Sequence, residues 1–180
     1  MKLEQIDFEN VRFDPDLSDF HRLAKQMATG FGFTAKLAIG DRLAALLRLR
    51  VAQINPCSYC LILHTRVAME VGIDTAMVAH LASWRQSTMF SGAEALALAY
   101  CEALTRYEHE HFDEMHKGLT VFFDEREIAE IAAVVINMNL WTRLKLAQGA
   151  VPVGAHSGDG KSSADGLSRD VVKEKEAHHD

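Results

Sequence analysis

The residues best equipped for chemistry lie in the stretch Cys57-Ser58-Tyr59-Cys60-Leu61-Ile62-Leu63-His64. The chain has 3 cysteines in 180 residues, too few for a disulfide scaffold. In a reducing compartment, two thiols with this CxxC spacing read as a redox pair or as half of a metal site. A structural zinc site needs a second pair of Cys or His, and neither Cys101 nor the 9 histidines supply a recognisable one. Redox chemistry is therefore favoured. If Asn55 caps a helix and Pro56 takes its first position, Cys57 falls in the first turn and Cys60 in the second. At 100° per residue, the side chains at 57, 60 and 64 then share an arc of about 60°. Cys60 and His64 lie one above the other, so the imidazole can reach that thiol directly or through a water. Free N–H groups and the helix dipole favour a thiolate at this end, and His64 can accept its proton. One thiolate can attack a peroxide or a disulfide, and the second resolves the product as an intramolecular disulfide. The plainer alternative is two buried structural cysteines beside a surface histidine. The coincidence of spacing, cap and histidine argues against it.

Helices must position these residues, and cap signatures mark where they begin. Asp14-Pro15 predicts a helix running to about residue 30. Leu43, Leu46, Leu47, Val51 and Ile54 recur at helical spacing within 36–54, with Arg42, Arg48 and Arg50 interleaved. The next helix spans 56–72, and Asp74 caps a short one reaching about residue 83. Ser91-Gly92-Ala93-Glu94 is a capping box that opens a helix to about residue 107. A shorter segment runs from Asp113 to near Phe123, and Asp124 to Glu127 opens a long helix that ends before Gly149. No hairpin turn separates alternating runs, so no strand is predicted. The expectation is an all-α domain of six or seven helices over residues 1–153. The polar, Gly/Ser/Asp/Lys-rich segment 154–180 reads as a flexible tail. A net charge of −6 argues against a nucleic-acid partner. The polar start carries no signal-peptide pattern, and no apolar run approaches the roughly 20 residues that span a bilayer. A cytoplasmic protein with no membrane partner is expected.

Other candidates carry less. Cys101 lies in an Ala-rich helical stretch and reads as a buried structural thiol. His109, His111 and His116, among Glu108, Glu110, Asp113 and Glu114, could hold a metal but straddle a helix start and read as a solvated loop. His178-His179 reads as incidental, and Trp84 and Trp141 read as packing residues. Asn137 and Asn139, inside an apolar helix, need partners if buried and point to a helix or subunit contact.

The stretch from Leu47 to Thr65 closely resembles the alkylhydroperoxidase AhpD-like core of the carboxymuconolactone decarboxylase family. Trp84-Arg85, Phe90-Ser91 with the Ala-rich segment through Arg106, and Ile136 to Arg143 resemble it too, so that the likeness covers about residues 5–153. The resemblance implies an all-α fold that assembles as a homotrimer or homohexamer. It implies Cys60 as the thiol that attacks peroxide, Cys57 as the resolving thiol and His64 as the proton relay. The helix dipole alone favours Cys57 as the more acidic thiol; the stacking of His64 on Cys60 decides for Cys60. It also implies a hydroperoxide or disulfide substrate and a lipoylated reductant; a thioredoxin-like reductant is the other expected donor, and no cofactor or metal is expected. The chain departs from the family at three places. The relay glutamate twelve residues before the first cysteine is Ala45 here, with no acid closer than Asp41 one turn earlier; Pro56 replaces a common glycine; and Tyr59 replaces the histidine that AhpD carries between its cysteines. Tyr59 and Asp41 are thus accessory candidates, and turnover is expected to be slow. The alternatives are a carboxymuconolactone-decarboxylase-type lyase, whose chemistry does not use a CxxC, and a non-catalytic oligomeric redox sensor.

Overall fold

The structure, a computed structural model, describes residues 6–153. The predicted polar tail at 154–180 lies outside the described residues. Among the described residues there are seven α-helices: α1 (Asp19–Phe31), α2 (Gly40–Ile54), α3 (Ser58–Glu70), α4 (Thr75–His80), α5 (Gly92–Arg106), α6 (Phe112–Leu119) and α7 (Glu125–Gln148). A 3-10 turn, Pro15–Leu17, precedes α1, and a 3-10 segment, Leu81–Gln86, continues α4. The all-α expectation holds, and the caps explain why. Asp74 accepts from the Ala76 N–H, while Ser91 with Glu94 and Asp124 with Glu127 close reciprocal capping boxes.

Two local expectations are corrected. The predicted helix from Asp14 is interrupted at Ser18, whose extended backbone (φ −137°) ends the 3-10 turn and lets its hydroxyl cap α1. Contrary to the strand-free expectation, two short strands also form. β1 (Asp7–Asn10) pairs antiparallel with β2 (Ala150–Val153), with Asp7 opposite Val153 and Asn10 opposite Ala150. Strands of 4 residues from opposite ends of the domain carry too little alternation to be visible in sequence. Gly149 makes the turn from α7 into β2: its φ is +70°, and a Cβ there would meet Val11 Cγ2 at 2.8 Å.

α2 is the central helix and packs on α3, α5 and α7. Every residue from Leu43 to Ala52 is buried, including two arginines. Glu130 of α7 receives the N–H groups of Ala38 (2.6 Å) and Ile39 (3.2 Å), fixing the loop that enters α2. α3 lies against α2 across a three-residue connection, and β2 runs along its side. The thiol-bearing end of α3 is thereby held by the central helix and by the β-ribbon.

Candidate active site

The connection Asn55-Pro56-Cys57 sets the site. Asn55 does not cap α3; it ends α2, and its side-chain amide donates to Asn139 Oδ1 (2.9 Å) and Thr142 Oγ1 (3.2 Å) on α7. Cys57 is the N-cap instead, its Sγ accepting the Cys60 N–H at 3.3 Å. The side chain taken for a cap was claimed by a neighbouring helix, so α3 starts later than predicted. Asn139 is held in turn by donating to Thr105 Oγ1 and the Val135 carbonyl, which gives this polar residue of an apolar helix its partners. Asn137 is also buried, with an Oδ1 that accepts no hydrogen bond within the chain.

Cys57 and Cys60 form a disulfide, with their Cα atoms 5.3 Å apart. Both are buried, at 8% and 2% exposure. His64, one turn further along α3, is 5% exposed, and its ring meets that of Phe33 edge-on at 6.5 Å. Burial, reinforced by the positive charge of Arg48, drives its pKa down to about 3. His64 is therefore a neutral imidazole at neutral pH.

Tyr59 packs against the ribbon and α7. Its ring packs edge-on against Phe8 of β1 at 4.7 Å, and Lys145 of α7 places its ammonium 4.1 Å above it. Asp41 lies in the first turn of α2, partly exposed and paired with Lys36 at 3.2 Å. Ala45, at the family's glutamate position, is 1% exposed in the core. Cys101 is fully buried, its thiol directed at the Leu47 carbonyl (3.7 Å) and its pKa pushed up to about 12 by burial. Of the sequence candidates, the structure brings together Cys57, Cys60 and His64, sets Tyr59 at the rim, and leaves Asp41 and Cys101 apart.

The histidine loop is open. His111 adopts a left-handed backbone (φ +62°) and pairs with Glu114 at 3.3 Å, and no group of three or more metal-ligating side chains occurs among the described residues.

Two of the arginines interleaved in α2, Arg48 and Arg50, are buried and carry polar interactions that the sequence does not specify. Arg50 belongs to a network around Glu102, which accepts from Arg50 Nε (2.7 Å), Trp84 Nε1 (2.8 Å), Arg85 (2.5 Å) and Arg106 (3.3 Å). Burial would raise the carboxyl pKa of Glu102, but the hydrogen bonds from Arg85, Trp84 and Arg50 outweigh it and hold it below the ordinary range. Arg48, 2% exposed, donates instead to the carbonyls of Phe31 (3.0 Å) and Gly32 (2.6 Å). The available signal was the pair of arginines interleaved in an apolar helix with no polar face to receive them.

Residues 23–103 match the model of the Carboxymuconolactone decarboxylase family. The chain is 25% identical over 118 residues to the uncharacterized protein YdfG of Bacillus subtilis (strain 168), covering 65% of this chain and 80% of that one. Two solved structures share the fold. One is an Agrobacterium tumefaciens protein of unknown function, a candidate antioxidant defence protein AhpD, with a TM-score of 0.65 and 21% identity over 70% of this chain and 85% of that one. The other is an uncharacterized peroxidase-related protein from Silicibacter sp. TM1040, with a TM-score of 0.66 and 20% identity over 73% of this chain and 69% of that one.

Proposed function

We propose, from the match of residues 23–103 to the carboxymuconolactone decarboxylase family and the shared helical fold, that this chain is a thiol redox enzyme that reduces hydroperoxides or disulfides through Cys57 and Cys60. The observation that carries the reading is the Cys57–Cys60 disulfide at the start of α3, with a buried neutral His64 one turn away. The names of the two solved structures, one tied to AhpD and one to peroxidases, support it as likenesses.

In the proposed cycle the Cys60 thiolate attacks one peroxide oxygen. An S–O bond forms, the O–O bond breaks, and the leaving alkoxide takes a proton to become the alcohol. The Cys57 thiolate then attacks the Cys60 sulfenic acid, forming the S–S bond and releasing hydroxide, which is protonated to water. A dithiol reductant, such as a lipoylated or thioredoxin-like protein, regenerates the pair and is itself oxidised. His64, being neutral, serves as a hydrogen-bond partner that passes protons to and from Cys60. The family's carboxylate is replaced by Ala45, so proton transfer rests on His64 and water. General acid–base assistance typically contributes about 10²–10⁴-fold, and a relay without its carboxylate supports a slow enzyme. Leu17, Phe20 and Leu23 leave apolar side chains 80%, 52% and 53% exposed, which supports assembly into a homo-oligomer.

The reading is tested by steady-state reduction of cumene hydroperoxide with dihydrolipoamide or a thioredoxin-like dithiol as the donor. Turnover that disappears in Cys60→Ser supports it. Loss of two thiols without turnover points to a redox sensor, and no loss of thiols points to lyase chemistry.

A further inference from the structure

Arg48 places a positive charge in the protein interior where no carboxylate answers it. Its guanidinium is held by two backbone carbonyls, those of Phe31 and Gly32, and its Nε has no acceptor within the chain. Among the described residues no Asp or Glu lies within ion-pair distance of it. The acid that acts on it through space is Asp41, two turns earlier on α2, and Asp41 is itself partly exposed and paired with Lys36. Burial lowers the Arg48 pKa to about 10, so the side chain remains charged at neutral pH.

Burying an unpaired cation is costly, and such a charge is retained when an anion arrives during function. The surroundings say where that anion would be. Arg48 is close enough to His64 to oppose its protonation. Phe33, the next residue after one of the carbonyls that hold Arg48, packs on the His64 ring. His64 Nδ1, like Arg48 Nε, is buried without a partner inside the chain. Arg48 of α2 and His64 of α3, each with a buried unpartnered nitrogen, are thus linked through the end of α1 at Phe31–Phe33, and His64 lies one helical turn from Cys60. In the disulfide form these groups include no anion. Reducing the disulfide with two electrons and one proton would create one, a thiolate.

We propose that Arg48 is a positioning residue for the thiol chemistry, its fixed, carboxylate-free guanidinium supplying the positive field that holds Cys60 as a thiolate once the disulfide is reduced. This rests on the dithiol reading above and adds the charge that a neutral His64 does not supply. It also divides the stabilisation of the two thiols. Cys57, as the N-cap, faces the free N–H groups of α3, whereas Cys60 lies within the helix and depends on Arg48. The other charged groups around this end of α3 are Lys145 of α7, above the Tyr59 ring, and Asp7 and Glu9 of β1, which are exposed on the ribbon. Arg66 and Glu70 pair with each other at 3.7 Å on the outer face of α3.

The test is the pH titration of Cys60 in the reduced full-length chain, read as its alkylation rate by iodoacetamide with the modified peptide identified by mass spectrometry. Wild type is expected to titrate below the free cysteine value of about 8.5. Arg48→Met and Arg48→Gln should each raise the midpoint by about one unit, a tenfold loss of thiolate at pH values below it. Arg48→Lys, which keeps the charge, should recover most of the shift. A purely structural role would lower the melting temperature and leave the midpoint in place. The proposal is overturned if Arg48→Gln, folded by circular dichroism, keeps the wild-type midpoint, or if Arg48→Lys raises it as much as Arg48→Met. Should neither neutral variant fold, a wild-type Cys60 midpoint at or above 8.5 overturns the proposal, and one well below it with Arg48→Lys close to wild type supports it. These readouts need no peroxide turnover, so a failure of the enzyme reading and a failure of this one are separable.

Discussion

Arg48 and Arg50 stand two residues apart on one helix, are almost equally buried, and live in opposite electrostatic worlds. Arg50 reaches the Glu102 carboxylate at 2.7 Å, in a cluster where Trp84, Arg85 and Arg106 donate to the same group. Every charge there has a partner, and the cluster ties α2, α5 and the segment after α4 together. Arg48 has carbonyls but no carboxylate, and both it and the adjacent His64 keep a buried nitrogen unpaired within the chain. Folding alone gives no reason for the second arrangement, since buried polar groups are normally satisfied. Local conflicts of this kind concentrate where a protein does chemistry. The side with satisfied charges is the frame, and the side with unsatisfied ones includes His64, one turn along α3 from Cys60.

The sharpest way to break this division is to exchange thiols across it. Cys60→Ser should abolish reaction with hydroperoxide, while Cys101→Ala should leave it unchanged, because Cys101 is fully buried with its thiol held protonated. Stopped-flow or coupled assays read both. On the frame side, Glu102→Gln should cost about 3–5 kcal/mol in denaturant unfolding, the range for breaking a buried ion pair by removing one partner. The double variant Arg50→Met/Glu102→Leu should recover much of that loss.

The next effect is a pH dependence. The unfolded imidazole of His64 titrates near 6.5 and the folded one near 3. Between those values the unfolded chain binds a proton that the folded chain does not. Stability therefore falls as pH drops through that window, by up to about 1.4 kcal/mol per unit. His64→Gln should flatten this part of the stability–pH curve relative to wild type. The smallest effect calibrates the frame. Asp124→Ala, which removes the cap of α7, should cost about 1 kcal/mol without altering Cys60 reactivity.

Much of this division is legible in the residue string, for identifiable reasons. Ser91/Glu94, Asp124/Glu127 and Asp74 announce helix starts because capping is a local interaction between residues a few positions apart. The Cys57, Cys60, His64 arrangement is legible because three- and four-residue spacings on a helix need no tertiary information. What is not legible depends on distant partners. Asn55 has the composition of a cap, but Asn139 and Thr142, more than eighty residues on, take its amide. β1 and β2 exist because the two ends of the domain meet, and it is that meeting which leaves no room for a Cβ at Gly149, against Val11. The contrast between Arg48 and Arg50 is likewise tertiary: nothing near either residue in sequence says that one will meet Glu102 and the other only carbonyls.

The most direct test of the central claim is the fate of the three thiols. Fully reduced chain is exposed to one equivalent of cumene hydroperoxide, its free thiols are counted, and its peptides are mapped by mass spectrometry without reduction. The expected result is the loss of two thiols per chain, a Cys57–Cys60 cross-link and one equivalent of cumyl alcohol, with Cys101 still free. A chain that keeps all three thiols, or that links Cys101 to either of the others, would contradict the account.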